Sequence, residues 1–426
     1  MSSKYNTNIG EEMYKWASDL FPINRSITGQ GVRDTLGYLK ELLPELNIKY
    51  FSTGESVFDW VIPEEWHVDE AFIEDDSGNR IIDFKINNLH LLGYSEAIDC
   101  WLSLDELNEH LYSLPDQPNA IPYVTSYYKK KWGFCLSHDQ RNQLKNGRYH
   151  VVIKSVFFKG QLDYGELIVE GRNKDEILFS TYVCHPSMAN NELSGVVVAS
   201  ALAKYISSIS NNHYTYRFLF IPETIGSIAY LSKNWVYMKQ NTRAGYVITC
   251  VGDNLSYSFL PSRMGNTYAD KIAKYALENY VDGYKEYSFL QRGSDERQYC
   301  SPLIDLPVAS IMRSKYGTFA EYHTSLDNMN FISADGLQGA FNIYKKVFEI
   351  LELNKVYKPL IHCEPQLGKR GLYNISSNDD ADTLINLLAY VDGRLDLMDI
   401  SNKLKIDIFE CRLVAEILHE NNLIEL

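Results

Sequence analysis

Four stretches of this chain carry side chains able to bind a metal or move a proton. The first runs Tyr182-Val183-Cys184-His185-Pro186-Ser187 and on through Met188-Ala189-Asn190-Asn191-Glu192-Leu193-Ser194-Gly195. The second is Pro222-Glu223-Thr224-Ile225-Gly226-Ser227, and the third is the charged loop Arg292-Gly293-Ser294-Asp295-Glu296-Arg297-Gln298-Tyr299. The fourth is Glu321-Tyr322-His323-Thr324-Ser325-Leu326-Asp327. A single histidine in a polar loop is more often a hydrogen-bonded structural residue than a ligand, and one short motif has little specificity. Two histidines accompanied by several carboxylates point further. Imidazole and carboxylate are donors that zinc accepts, and protein ligands that leave one position open make a catalytic site. A carboxylate outside the ligand set can then act as general base on the attacking water.

Such chemistry needs a fold that gathers these stretches. Glu176–Thr181 is apolar and β-branched, which predicts a buried strand. The run from Gly195 to Ala203 is rich in small residues and too long for one strand, so it predicts a helix packed on a sheet. His185 then lies just past the C-terminal end of a strand, the edge where open α/β sheets bind ligands. Val151–Ile153, Glu166–Val169, Arg217–Ile221, Gly245–Gly252 and Leu306–Met312 read as further strands, with Glu223 directly after one of them. The alternation predicts an α/β fold, a mostly parallel sheet with helices on both faces. Upstream, Met13, Trp16, Ala17 and Leu20 mark a helix ended by Pro22; Val32, Leu36, Leu39 and Leu43 mark a second, stopped by Pro44. Ile48–Phe51 reads as a strand. The loop Arg25-Ser26-Ile27-Thr28-Gly29 between the helices has residues to bind an anion, but a capping and turn role is favoured.

Near Trp60 the texture changes. Trp66–Glu74 and Arg80–Ile86 read as strands joined by the turn Asp75-Asp76-Ser77-Gly78-Asn79. Ser103 caps a short helix. Tyr123, Tyr127, Tyr128, Trp132 and Phe134 surround Lys129-Lys130-Lys131; the aromatics either wall a substrate cleft or fill a small core, the second being favoured, and the lysines are expected to form a solvated turn. Residues 60–155 are expected to be a small β-rich domain inserted into an α/β domain of residues 1–59 and 156–351. Residues 352–426 are a linker and a winged-helix domain, with helical segments at Leu384–Leu388, Ile400–Leu404 and Ile408–Glu420. The last of these offers Arg412 against Glu410, Glu416 and Glu420, so phosphate repulsion argues against DNA binding. A structural or protein-contact role is favoured; a homo-oligomer through this domain is compatible with the sequence, but no heptad or patch requires it.

Composition bounds the rest. The chain has 426 residues, enough for two or three domains. Its formal net charge of −14 argues against nucleic acid or an anionic membrane as the main partner. Seven cysteines without CxxC or regular spacing fit a reducing cytoplasm. The first eight residues have no apolar signal core, and no apolar run approaches the ~20 residues that span a bilayer. A cytoplasmic protein is expected.

The core resembles the zinc aminopeptidase superfamily that includes glutaminyl cyclases and glutamate carboxypeptidases. The whole chain looks like a bacterial group of aminopeptidase-like proteins linked to polysaccharide biosynthesis, which has an inserted β-rich domain and a C-terminal winged helix. The resemblance rests on Cys184-His185-Pro186-Ser187, Asn190-Asn191-Glu192-Leu193-Ser194-Gly195, Pro222-Glu223-Thr224-Ile225-Gly226-Ser227, Ser294-Asp295-Glu296-Arg297-Gln298-Tyr299 and Tyr322-His323-Thr324. It implies that His185 and His323 are the first and last metal histidines, that Glu223 is the general base, and that Asp295 supports the site. Three positions depart from the superfamily pattern. Asn191 stands where a bridging aspartate is expected, Thr224 where a glutamate ligates, and Cys250 where another aspartate ligates.

A dinuclear site must offset about four positive charges. With those carboxylates missing, one zinc is expected, held by His185, His323 and Glu192, or by Glu223 in place of Glu192. The implied activity is hydrolysis of an amide in a small peptide or an amide-bearing sugar conjugate, by metal-activated water. Asp295 or Glu296 would hold a substrate amine, and Tyr322 and Arg297 would stabilise the oxyanion. The competing expectation is a catalytically degenerate member of the fold used for binding or assembly.

Overall fold

The computed structural model describes residues 8–372 and 378–426. The N-terminal residues 1–7, part of the segment expected to lack a signal core, lie outside them. The chain divides into two compact units: residues up to Lys271 with Gly283–Asn342, and Ile272–Asp282 with Ile343–Leu426.

The first unit is built on an eight-stranded sheet. Its order is Asn47–Ser52, Gln161–Val169, Thr215–Ile221, Glu176–Tyr182, Thr242–Val247, Val308–Met312, Ser258–Leu260 and Lys285–Glu286. The four strands in the middle, from Thr215–Ile221 to Val308–Met312, run parallel. Antiparallel strands flank them on both sides. Every residue of Glu176–Tyr182 and Thr215–Ile221 is buried, as a strand covered on both faces requires. Glu176–Tyr182 is followed in sequence by its neighbour on one side and then by its neighbour on the other. The sheet therefore reverses its winding at the end of this strand, and the crevice that opens there is the place for a ligand. His185 is three residues beyond it.

The strand expected over Gly245–Gly252 is displaced and covers Thr242–Val247. Ile248 still donates to Ser180 O at 2.8 Å, but Cys250 takes φ +53°, and Gly252 N–H bonds Asn190 Oδ1 at 2.7 Å. Pairing with a loop replaces pairing with a strand. The strand expected over Arg80–Ile86 ends at Asp83, whose carboxylate accepts the backbone N–H of Lys85 at 2.9 Å.

A second, antiparallel sheet in this unit has the order Arg80–Asp83, Glu65–Asp75, Arg148–Phe158, Ile98–Ser103. Ser103 and Glu106 form a reciprocal cap on the helix Leu104–Asn108. Phe134 is buried in the core and Lys129, Lys130 and Lys131 are exposed, as expected. Tyr123 packs on a small core of Leu89, Ile121, Cys135 and Met188 and also reaches the His323 loop. Its segment joins the His323 loop: Pro122 bridges to Thr324, Tyr123 N–H donates to His323 O at 2.8 Å, and Ser325 N–H donates to Ile121 O at 2.8 Å.

The second unit contains the helices Asn378–Tyr390, Leu397–Leu404 and Ile408–Glu420, and Lys358–Pro359 pairs antiparallel with Ile424–Glu425. Asp396 and Asp407 cap the last two helices through Asp399 N–H and Phe409 N–H. Lys405, in the left-handed region, makes the turn between them. Among the described residues, no helix is long and apolar enough to cross a membrane.

Candidate functional site

The loop after Glu176–Tyr182 enters the helix Ser194–Ser207 through one π turn, Ala189–Leu193, with all five of its residues buried. A buried helix entry must find acceptors for its free N–H groups. Asp327 supplies them, taking Asn190 N–H at 2.6 Å and Asn191 N–H at 2.9 Å. Burial outweighs these bonds and pushes its carboxyl up to about 7. Gly195 lets the helix approach the next loop, because a Cβ there would stand 2.2 Å from Ile248 O.

The turn presents Glu192 to His185. Glu192 Oε2 accepts from Cys184 N–H at 2.6 Å, from His185 N–H, and from His185 Nδ1 at 2.9 Å. Its other oxygen, Oε1, takes Arg25 Nε at 2.7 Å, and both side chains of this ion pair are fully buried. His185 is thus held by Nδ1, and Nε2 faces the Glu223 carboxylate at 3.6 Å. Burial alone would depress this imidazole; the hydrogen bond and charge of Glu192, then Glu223, carry it above the ordinary value.

His323 completes the cluster. Its ring centre is 5.6 Å from that of His185, and Tyr322 stacks on it at 3.9 Å. Tyr123 packs edge-on to His323 and tilted to His185, 5.2 Å from each. Burial, then the neighbouring His185, push His323 down to about 3, so it is the neutral donor a metal requires.

Glu223 follows the strand Thr215–Ile221. Its carboxyl is raised by burial, against the opposing charges of His185 and Arg297. The next residue, Thr224, sits at φ +65°, and this kink starts the helix Ile225–Asn241. Asp295 secures it: Oδ1 accepts from Thr224 N–H at 2.7 Å and Ser227 Oγ at 2.8 Å, while Oδ2 is buried without a partner. Burial, then the Glu223 charge, push Asp295 up to about 7. Arg297 is exposed and donates to Thr224 Oγ1 at 2.7 Å. Glu296 is buried, and its Oε1 accepts from Gly293 N–H, Ser294 N–H and the Tyr316 hydroxyl, so it shapes its own loop.

Of the three departing positions, Asn191 and Cys250 lie in one neutral network. Asn191 Oδ1 accepts from the Tyr182 hydroxyl at 3.2 Å and lies 3.8 Å from Cys250 Sγ, while Thr249 Oγ1 donates to Asn191 O at 2.7 Å. Thr224 serves the kink and Arg297.

The donor set can be tested for fit to an ion. Two ligands each about 2.1 Å from a tetrahedral zinc stand about 3.4 Å apart, and two such imidazoles have ring centres about 5 Å apart. The 3.6 Å between His185 Nε2 and the Glu223 carboxylate fits the first value, while the ring centres of His185 and His323, 5.6 Å apart, are set wider than the second. Among the described residues, the group whose ligand atoms all lie within 4.8 Å of one another is Cys184, His185 and Glu192. That side already holds the Arg25 guanidinium, and burial keeps the Cys184 thiol protonated, well above its ordinary pKa. An ion there would meet a fixed positive charge.

Of the residues singled out in the sequence, His185, Glu223, His323 and Tyr322 come together, with Asp295 and Arg297 behind the Glu223 kink. Glu192 lies on the Nδ1 side of His185, and Glu296 faces its own loop. Arg25, Tyr123 and Asp327 were not assigned to the site. Their signals were the Arg25-Ser26 loop, the aromatic patch, and the carboxylate four residues after His323.

Comparison with known proteins agrees with this architecture. A family model described as a domain of unknown function, DUF4910, matches residues 14–354, and a winged helix-turn-helix model matches residues 355–426. A Clostridium acetobutylicum protein, described as a candidate polysaccharide biosynthesis protein with an aminopeptidase-like domain, is 41% identical, covering 99% of this chain and 98% of its own length. A crystal structure of a candidate peptidase from Clostridium acetobutylicum superposes with a TM-score of 0.93 at 41% identity, over 98% of this chain and 96% of that one. A zinc aminopeptidase from Bacillus subtilis shares the fold, with a TM-score of 0.59 at 12% identity, over 80% of this chain and 94% of that one. The aminopeptidase-like α/β core and the winged helix expected from the motifs are both present, and the extent of these matches places the chain in the DUF4910 family.

Proposed function

We propose that this protein is a mononuclear zinc-dependent amide hydrolase of aminopeptidase type. The observation that carries the reading is the 3.6 Å approach of His185 Nε2 to the Glu223 carboxylate, with the His323 ring centred 5.6 Å from that of His185, at the switch point of the parallel strands. These three would hold the ion and leave a position open. When bound, zinc supplies Lewis acidity, polarising a carbonyl and acidifying water. Glu192 serves as the carboxylate that orients His185, a role metal-bound histidines commonly require. Asp295, with a buried carboxyl that keeps its proton to about 7 and an unpartnered Oδ2, is the proton carrier beside Glu223. Tyr322, stacked on His323, and Arg297, bonded to Thr224 Oγ1, would answer negative charge on a tetrahedral oxygen. Asn191, Thr224 and Cys250 are neutral and cannot balance a second divalent ion, so the site takes one. The name of the clostridial relative favours an amide on an amino sugar or aminoacylated glycan as substrate.

The neutral network around Asn191 equally favours a second reading, a binding or assembly protein that has lost catalysis. Metal content of protein purified without chelator separates the two. About one zinc per chain, lost in both His185→Ala and His323→Ala, is the expected result. Two ions per chain would contradict the neutral network, and none under zinc-replete conditions would leave the binding reading in possession.

A further inference from the structure

Arg25 is one of the largest fully buried side chains of the protein, at 1% exposure, and it lies in a loop 160 residues before His185. A guanidinium removed from water needs compensation for all its donors. Here Nε is shared between Glu192 Oε1 at 2.7 Å and His185 O at 3.1 Å, and Nη1 donates to Leu20 O at 2.7 Å. The remaining nitrogen, Nη2, is buried without a partner. Stability alone gives little reason for such an arrangement, since well-packed apolar residues serve as well or better than a buried ion pair. Both acceptors shared by Nε belong to the clamp around His185, one being its own carbonyl and the other the carboxylate on its Nδ1.

We infer that Arg25 is a positioning residue of the metal site: through Glu192 and the His185 carbonyl it fixes the imidazole so that Nε2 is directed at Glu223. This rests on the zinc reading above. Without Arg25, Glu192 Oε1 loses its side-chain partner and the His185 carbonyl loses one of its donors. The ring then gains rotational freedom, and the ion loses a prepaid geometry. The effect is on affinity, and both contacts act on the one imidazole.

The test is a double-mutant cycle on Co2+ affinity of the full-length chain, measured by chelator competition, with the cobalt visible spectrum as a second readout. Arg25→Met and Glu192→Gln should each weaken binding by about 10–100-fold and reduce the tetrahedral absorption. The double variant, which removes both buried charges and so protects folding, should bind no more weakly than the weaker single variant. Arg25→Lys should recover part of the loss. Ile73→Ala, in the core of the four-stranded sheet, lowers stability away from the site and should leave affinity unchanged. Single variants within about twofold of wild type, or losses that multiply in the double variant as independent effects do, would overturn the inference. So would an equal loss in Ile73→Ala, which would reduce the effect to stability. A wild-type chain that takes up no cobalt overturns the zinc reading itself, which the variants alone cannot do.

Discussion

Asp295 shows how a single residue can carry opposite demands. Its Oδ1 secures the Thr224 kink, while Oδ2 is buried without a partner beside Glu223. Its carboxyl holds a proton to about 7 in the folded chain, against about 4 when unfolded. Between these values the folded state binds more protons than the unfolded state, so this group makes stability fall as pH rises from about 4 to 7. Asp295→Asn keeps an oxygen for Thr224 and Ser227 and replaces the unpaired one with a neutral amide. In chelator-treated protein, the melting temperature of Asp295→Asn relative to wild type should therefore rise between pH 5 and pH 8. A constant difference across that range would mean that Asp295 is not protonated in the folded chain at pH 5.

At the scale of elements, the site depends on how closely the helix Ser194–Ser207 approaches the loop after Thr242–Val247. Two effects compete at Gly195. Alanine in a helix is favoured over glycine by about 1 kcal/mol. Against this, a Cβ would meet Ile248 O at 2.2 Å and Thr181 Oγ1 at 2.7 Å, and the first of these is backbone that cannot step aside. Overpacking of this kind costs about 1–3 kcal/mol, so the clash prevails. Gly195→Ala should lower the urea midpoint, and because the π turn carrying Glu192 must move with the helix, it should also weaken metal binding. A stabilised variant would show that the contact yields easily.

For the molecule as a whole, the charge balance decides what the winged helix can do. The helix Ile408–Glu420 has one arginine, and Arg412 is paired with Glu416 at 2.8 Å. The chain carries a formal charge of −14. Duplex binding draws most of its affinity from neutralised phosphates, and this helix offers none. Electrophoretic mobility of a duplex at low salt should be unchanged by the protein. A shift that disappears as salt is raised would reverse this expectation and make the second unit a nucleic-acid module.

Much of this protein was legible in the residues themselves. Apolar runs bounded by turn residues marked the buried strands, and a histidine or carboxylate directly after such a run marked the ligand edge of the sheet. His185 and Glu223 were marked in this way, because strand periodicity and loop placement are local properties; His323 stands in a longer loop and was marked by the motif Tyr322-His323-Thr324. Which carboxylate faces which nitrogen is not local. Glu192 is near His185 in sequence, yet its orientation depends on Arg25, 167 residues earlier, entering the same buried volume. Tyr123 read as core filling or as a cleft wall, and the pairing of its segment with the His323 loop sets it on a small core and against both imidazoles. Burial makes such pairings obligatory, since an uncompensated charge or N–H cannot remain inside. The sequence alone determined the elements and the candidate donors at their ends. Only packing decided that Glu192 lies on the Nδ1 side of His185 and that Glu223 faces Nε2, because those directions depend on which distant groups are excluded from water together.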